Sequence, residues 1–184
     1  YAQAFFEYFL RNPLCQEMGR KFKVAFSSSV DDQAMTFIHD LGFIPKIKEG
    51  KKGFRVLLGG GIGSQPEGAK EIYEFLDTDS YIPFSEAVIR VFDRHGERNR
   101  KNKARLKFLI KEMGLETFLT LVEQEWKVLL KPNLVVSPTE RLLKTPQYQG
   151  DTDIEIEDTD YENWKQTNLY SQKQEGYFAV GVPI

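Results

Sequence analysis

The stretch GFIPKIKEGKKGFRVLLGG, residues 42–60, decides the fold because it carries the clearest strand signals in the chain. Two apolar runs, residues 42–47 and 53–60, are separated by the polar residues 48–52, which include a glycine. Apolar runs joined by a short polar loop predict a β-hairpin. Four glycines within residues 59–63 follow, and they allow a tight turn after the second strand.

The rest of the pattern predicts an α+β fold. Residues 22–28 predict another strand, apolar enough for a central position in the sheet, and residues 66–77 suggest a helix. Stripes of apolar residues predict three later helices, at 84–95, 102–113 and 116–130. Ser85 is the expected N-cap of the first of these. Because strands precede helices without regular alternation, we predict a small, mostly antiparallel sheet covered by helices on one face.

Composition is that of an ordinary soluble globular protein. The 184 residues are 41% hydrophobic and 28% charged, with a net charge of −2. No run of about 18 apolar residues and no signal peptide is present, so we expect a cytoplasmic location and no membrane contact. Cys15, His39 and His95 lack partners at metal-ligand spacing, so no metal site is predicted.

The chain ends and a change in composition predict a fragment with an extended arm. The chain begins at Tyr1 without a Met and stops at Ile184 inside an apolar run, which suggests a segment of a longer polypeptide. Residues 151–162 hold seven acids and no base, and several prolines precede them, so residues 131–165 are expected to be a linker or arm. Residues 176–182 alternate as in a strand.

The stretch RKFKVAFSSS, residues 20–29, presents an unbalanced pair of charges. Lys21 and Lys23 are two residues apart in an extended segment, so they project from the same face, and no acid lies nearby along the chain. Like charges so placed repel each other, which favours an anion between them. The alternative is an edge strand that its lysines protect from aggregation.

Two further stretches are basic or rich in glycine. GGGIG, residues 59–63, follows a strand but matches no complete nucleotide signature, so it is either a turn beside a large flat or anionic ligand or a plain structural turn. RNRKNKARLK, residues 98–107, has six bases in ten residues. Cations at a helix N-terminus oppose the macrodipole, which favours an anionic partner over a merely solvated helix start. Because the whole chain is acidic, nucleic acid is not the expected partner.

These stretches, with HDLGFIPKI (39–47) and ETFLTLVE (116–123), resemble the siroheme-containing sulfite and nitrite reductases in the first of their two related halves. The resemblance covers about residues 14–130. It implies a siroheme-side half domain over residues 1–130 and the start of a second, ferredoxin-like half module at residues 166–184. It also implies an oxidoreductase that reduces sulfite to sulfide, or nitrite to ammonia, by six electrons. The electron donor would be ferredoxin or a flavoprotein, and the remainder of the parent chain would be a further partner.

The resemblance also implies roles for individual residues. Lys21 and Lys23 would bind the sulfite or nitrite oxygens, and a lysine at Lys23 favours sulfite. The implied siroheme contacts are Arg20, Gly59, Gly60, Gly61, Arg98, Lys101, Arg105 and Lys107, among which Arg105 is the closest match to the family's basic siroheme contact.

The resemblance places other parts of the active site outside this chain. The four cysteines of the family's 4Fe–4S cluster would lie beyond Ile184, and two active-site arginines would lie before Tyr1, so this fragment is expected to be inactive alone. The alternative is a non-catalytic nucleotide- or RNA-binding module that uses GGGIG and residues 98–107.

Overall fold

The computed structural model describes residues 1–129, 132, 136, 159–172 and 176–181. The chain divides into two compact units, Tyr1–Ser137 and Pro138–Ile184. The first unit holds all the candidate site residues, and each unit is described by itself.

The first unit is built on a four-stranded sheet in the order β1–β2–β3–β4. The strands are β1 (Val24–Phe26), β2 (Leu41–Lys48), β3 (Lys51–Leu58) and β4 (Lys70–Asp77). β1 is parallel to β2, and the other pairs are antiparallel. The predicted hairpin is confirmed, but its loop is shorter than the predicted residues 48–52, because Lys48 pairs with Lys51 and leaves only Glu49 and Gly50 in the turn. Both turn residues have positive φ, as in a type I′ turn.

The predicted helix over residues 66–77 is wrong, because residues 70–77 form β4. This strand pairs with β3 from Gly53 opposite Asp77 to Leu58 opposite Lys70, with register shifts between. The run Ile72-Tyr73-Glu74-Phe75 is rich in residue types that suit a pleated surface, and the edge of β3 that β2 leaves open supplies hydrogen-bond partners. Tertiary pairing therefore decides the structure of this segment.

The strand predicted for residues 22–28 is shorter and lies at the edge of the sheet, not at its centre. β1 covers only residues 24–26, pairs with β2 alone among the described strands, and is partly exposed along its length. One backbone bond extends the pairing, from the N–H of Leu41 to the carbonyl of Lys23 at 3.1 Å. Lys21 and Lys23 consequently lie just before the edge strand, where solvent reaches them.

Helices cover one face of the sheet. They are α1 (Ala2–Phe9), α2 (Tyr81–His95), α3 (Leu106–Met113) and α4 (Leu115–Val128). The N-cap of α2 is Ser80, so the prediction of Ser85 as N-cap is wrong; Ser85 is buried inside the helix, and its hydroxyl donates to the carbonyl of Tyr81 at 2.6 Å. α3 begins four residues later than predicted because Arg105 is extended and residues 101–103 form a separate 3₁₀ turn.

The core lies between this face of the sheet and the helices. Phe43 on β2 and Phe54 on β3 have ring centroids 5.5 Å apart, and both rings pack against Tyr81 at the start of α2. Phe84 and Phe118 are fully buried on α2 and α4. Burial of each large apolar side chain contributes about 1.5–3 kcal/mol, so this cluster accounts for the firm attachment of the helices to the sheet.

A polar contact joins α1 to α2 and makes stability depend on pH. The hydroxyl of Tyr8 donates to the Glu86 carboxylate at 2.5 Å, and Arg90 donates to the same carboxylate at 2.7 Å. Burial, together with Glu86, raises the pKa of Tyr8 to about 12. An unfolded tyrosine ionises near pH 10, so the stability that this contact contributes is fully present below about pH 10 and is lost as the pH rises through about 12.

We therefore expect the melting temperature of the chain to fall between about pH 10 and pH 12, and to fall less steeply in Tyr8→Phe. The variant keeps the ring but has no hydroxyl to ionise. Tyr81, whose pKa burial also raises to about 12, remains in the variant and leaves part of the slope. Melting curves recorded by circular dichroism across this range test the prediction, and identical slopes for the two proteins would contradict it.

The second unit contains a helix and a small sheet. α5 spans Thr159–Asn168, and β5 (Leu169–Ser171) pairs antiparallel with β6 (Phe178–Val180). The strand predicted within residues 176–182 is therefore present as β6. α5 begins inside the predicted linker of residues 131–165, most of which lies outside the described residues. Among the described helices, none is both long and apolar enough to cross a membrane.

Candidate functional site

The lysine segment, residues 20–23, lies on the surface next to β1. Arg20, Lys21 and Lys23 are exposed, and within the described residues none of them takes part in an ion pair. Phe22 is half-buried, and its ring centroid lies 5.7 Å from that of Phe92 on α2. One partly buried aromatic ring is thus flanked by two exposed lysines.

Asp40 bonds to the backbone of this segment, and no sequence motif singles it out. The residue is only 1% exposed. Its Oδ2 accepts the backbone N–H of Lys23 at 3.0 Å, and its Oδ1 accepts Nη2 of Arg105 at 3.1 Å. Burial raises the pKa of Asp40, and Arg105 opposes that rise. A single aspartate before a strand carries no motif, so only the fold reveals this contact.

Arg105 reaches from the start of α3 to the glycine loop, residues 59–63. Besides Asp40, its guanidinium donates to the carbonyl of Gly60 at 3.3 Å and to that of Ile62 at 3.2 Å. The side chain is 14% exposed. Its Nε is buried and has no hydrogen-bond partner in the part of the chain that the structure describes. Most of the donors on Arg105 are therefore engaged within the protein.

The glycine loop uses its N–H groups internally. Three consecutive N–H groups donate to backbone carbonyls, from Gly59 to Asp40 at 2.9 Å, from Gly60 to His39 at 2.9 Å and from Gly61 to Glu67 at 2.8 Å. Each of these N–H groups therefore already has a backbone acceptor, which favours the structural turn of the two readings of this loop. All three glycines are also buried. The geometry identifies them as parts of a close-packed turn that supports the neighbouring side chains.

We expect Gly60→Ala to destabilise the protein by about 1–3 kcal/mol, because overpacking of a tight site costs that much. An added Cβ would lie 2.3 Å from the carbonyl oxygen of Phe37 and 2.7 Å from that of His39, and backbone atoms cannot move aside cheaply. Gly68→Ala is the matched control, since nothing lies within 4 Å of its added Cβ. Equilibrium unfolding in urea measures both variants, and equal midpoints would contradict the prediction.

Lys107 supports the same loop from the first turn of α3. Its ammonium donates to the carbonyl of Gly61 at 3.2 Å and also to the carbonyl of Gln65. The residue is 6% exposed. Burial lowers the pKa of Lys107, and the charge on Arg105 lowers it further. The ammonium thus points into the loop, whereas the resemblance implied a contact with a siroheme carboxylate.

The other two predicted bases differ in their surroundings. Arg98 pairs with Asp93 at 2.5 Å and donates to the carbonyl of Glu17 at 3.1 Å, so it fixes the chain shortly before the lysine segment. Lys101 is exposed in the 3₁₀ turn and, within the described ranges, makes no ion pair. Residues 98–107 therefore contact the chain before the lysine segment through Arg98, and Asp40 and the glycine loop through Arg105 and Lys107.

An open cleft of about 370 Å³ adjoins the lysine segment. The residues that line it include the bases Arg20 and Lys21 and the apolar side chains of Phe9, Met18 and Phe22. A cleft lined by apolar side chains and two bases suits a ligand that has an apolar body and anionic substituents. Within the described residues, no cluster of three or more His, Cys, Asp and Glu side chains could hold a metal ion.

The family model described as nitrite and sulphite reductase 4Fe-4S domain matches residues 1–130. The chain belongs to this family. The chloroplastic ferredoxin–nitrite reductase of Oryza sativa subsp. japonica is 30% identical over 177 residues, which are 96% of this chain and 27% of the relative. The sulfite reductase (NADPH) hemoprotein beta-component of Chromohalobacter salexigens is 32% identical over 139 residues, 72% of this chain and 24% of the relative.

The nitrite and sulphite reductase fold also matches a solved structure, that of the Mycobacterium tuberculosis NirA protein. The TM-score is 0.61 at 29% identity, over 68% of this chain and 23% of that one. The chain thus spans about a quarter of the length of the proteins that it resembles. It has one cysteine, Cys15, so it cannot by itself supply the four thiolates that a 4Fe–4S cluster requires.

Proposed function

We propose that residues 1–130 form the siroheme-side half domain of an enzyme that reduces sulfite to sulfide, or nitrite to ammonia, by six electrons. Family membership supports the class of enzyme. The observation that carries the proposal is the pair of exposed ammonium groups on Lys21 and Lys23, which have no acidic partner within the described residues. The backbone beside them is fixed by the buried Asp40.

The two lysines would act on the substrate oxygens. An ammonium group offers three N–H donors and a full positive charge, so a pair of them stabilises a bound oxyanion. Each ammonium group would also donate a proton to a substrate oxygen that leaves as water during the reduction. Siroheme, when bound, supplies the electrons to the substrate and binds it directly. The lysines contribute charge and protons.

Siroheme fits the cations that remain free in this structure. The macrocycle carries eight carboxylates, which need basic partners at its rim. Arg20 and Lys101 are exposed without an ion pair among the described residues, and they would meet such carboxylates directly. Arg98, Arg105 and Lys107 are engaged with protein acceptors, so we assign them to holding the segments that carry the free cations.

The rest of the enzyme would come from the remainder of the parent chain. We propose that it supplies the cluster cysteines and further active-site arginines, and that the fragment alone is inactive. Residues 131–165 would link this half domain to the second, ferredoxin-like half module that opens at residues 166–184. Electrons would come from ferredoxin or a flavoprotein; the names of two relatives refer to ferredoxin and to NADPH. We propose a cytoplasmic enzyme.

Sulfite is the favoured substrate in this proposal. The basis is Lys23, since the resemblance associates a lysine at this position with sulfite reductases. Relatives of both names match the chain, so the proposal includes nitrite as the second substrate.

No observation favours the alternative of a nucleotide- or RNA-binding module. Such a module would use the N–H groups of the glycine loop to cradle phosphate, but those of Gly59, Gly60 and Gly61 already donate to carbonyls. The basic segment, residues 98–107, is likewise partly neutralised by Asp93, Glu97 and Asp40.

The intact parent reductase tests the proposal directly. We expect the purified enzyme to contain siroheme and a 4Fe–4S cluster, and to consume six electrons from a reduced viologen dye for each sulfite. Pigment extraction, iron analysis and dye oxidation measure these quantities. An intact parent without siroheme, or without turnover of sulfite and nitrite, would refute the proposal.

A further inference from the structure

The lysine segment, the glycine loop and the basic segment all contact one residue, Asp40, whose carboxylate is buried. The side chain of Asp40 accepts the N–H of Lys23 on one oxygen and Nη2 of Arg105 on the other, at 3.0 and 3.1 Å. The carbonyl of the same residue accepts the N–H of Gly59 at 2.9 Å. Asp40 therefore contacts the lysine segment, the basic segment and the glycine loop at once.

Lys23 depends on this carboxylate for its placement. The regular pairing of β1 with β2 begins only at Val24, opposite Leu41. Before that point the backbone of Lys23 has two bonds, its carbonyl to the N–H of Leu41 and its N–H to Asp40. The bond from the N–H of Lys23 depends on one side chain, that of Asp40, so a substitution at Asp40 can remove it.

Asp40 also determines which cations stay free. Its negative charge faces Arg105, so that guanidinium is paired internally, and a buried cation without such a partner would be strongly unfavourable. Lys21 and Lys23 are exposed and have no ion-pair partner among the described residues. The arrangement therefore pairs the buried Arg105 with Asp40 and leaves the two lysines open to solvent.

We propose that Asp40 is a positioning residue for the anion site, where it fixes Lys23 relative to Arg105 and the glycine loop. This inference rests on the proposed function, since it presumes that Lys23 binds the substrate anion. Asp40 acts through Lys23 and does not touch the substrate. Its loss should therefore weaken anion binding only as long as Lys23 is present.

The test is a double-mutant cycle in the intact reductase, with Asp40→Asn, Lys23→Ala and the double variant. The readout is the dissociation constant of sulfite, measured from the absorbance change of the bound siroheme. Only molecules that contain siroheme contribute to this signal. We expect Asp40→Asn to raise that constant about tenfold, less than the roughly hundredfold cost of displacing a group by 1 Å. The double variant should bind sulfite within about twofold of Lys23→Ala, because interacting residues are not additive.

Glu86→Gln is the matched control. Glu86 is another buried carboxylate, and it accepts hydrogen bonds from Tyr8 and from Arg90. The control variant should lower the melting temperature and leave the sulfite constant unchanged. The inference would be overturned if the factors by which Asp40→Asn and Lys23→Ala raise the sulfite dissociation constant multiplied in the double variant. It would also be overturned if Asp40→Asn left that constant unchanged. An unchanged constant in Lys23→Ala itself would instead overturn the proposed function.

A second variant covers the case in which Asp40→Asn does not fold. Arg105→Lys keeps a cation beside Asp40 but removes the second arm of the guanidinium that holds the loop carbonyls. Combined with Lys23→Ala, it should again give a double variant no weaker than Lys23→Ala alone. The inference would also be overturned if Arg105→Lys and Lys23→Ala raised the sulfite dissociation constant independently of each other.

Discussion

Replacement of Lys21 or Lys23 by alanine is expected to cut sulfite turnover of the intact reductase by roughly a hundred- to thousandfold. A donor aimed at charge that develops on a reacting oxygen is typically worth about 2.7–4 kcal/mol in the transition state. Both ammonium groups are exposed, and within the described chain neither has an acidic partner, so their loss should leave the fold intact. Turnover per bound siroheme, measured with a reduced dye, tests this expectation.

Lys48→Ala is the control for this prediction. Lys48 is also an exposed lysine, but it lies at the hairpin turn, at the opposite end of β2 from Leu41, which bonds to Lys23. Its replacement should change turnover by less than about twofold, as expected of a surface site away from the chemistry. Siroheme content should be normal in all three variants. Full activity in both Lys21→Ala and Lys23→Ala would show that these lysines do not form the substrate site.

Arg105→Ala is expected to destabilise the half domain and to lower siroheme occupancy. Removing the guanidinium leaves Asp40, which is 1% exposed, as a buried carboxylate without its cation. Breaking a buried pair in this way typically costs about 3–5 kcal/mol. The glycine loop also loses two of its side-chain donors. Equilibrium unfolding and pigment extraction measure the two effects.

Arg55→Ala provides the comparison, because Arg55 pairs with Glu71 at 3.7 Å and the two side chains are 39% and 44% exposed, far more than Asp40 and Arg105. Such surface pairs contribute about 0–1 kcal/mol, so this variant should be close to wild type. Similar stability losses in Arg55→Ala and Arg105→Ala would contradict the role assigned to the Asp40–Arg105 pair. A full complement of siroheme in Arg105→Ala would show that the pair does not support the cofactor.

Local signals explain what could be predicted of the fold. The β2–β3 hairpin is encoded by two apolar runs around Glu49 and Gly50, and the turn needs no distant contact to form. α2 and α4 follow from stripes of apolar residues that continue for several turns. The segment that became β4 has no such clear pattern, and its structure is set by the free edge of β3.

Some features of the candidate site could likewise be predicted from the sequence, and others could not. The exposure of Lys21 and Lys23 on either side of the half-buried Phe22 could be proposed from the sequence, although β1 begins only at Val24. The engagement of Arg105 and Lys107 by the glycine loop could not be predicted, because those contacts span more than 40 positions along the chain. Asp40 was missed for the same reason: its partner Arg105 is far away in sequence, and charge alone does not reveal a buried pair.

The most direct measurement is a crystal structure of the intact parent reductase with siroheme and sulfite bound. We expect Nζ of Lys21 and Nζ of Lys23 both to lie within about 3.2 Å of sulfite oxygens. We also expect Asp40 still to bond to the N–H of Lys23 and to Arg105. Ammonium groups that instead pair with acidic side chains of the remaining parent chain, away from the siroheme, would contradict the central claim.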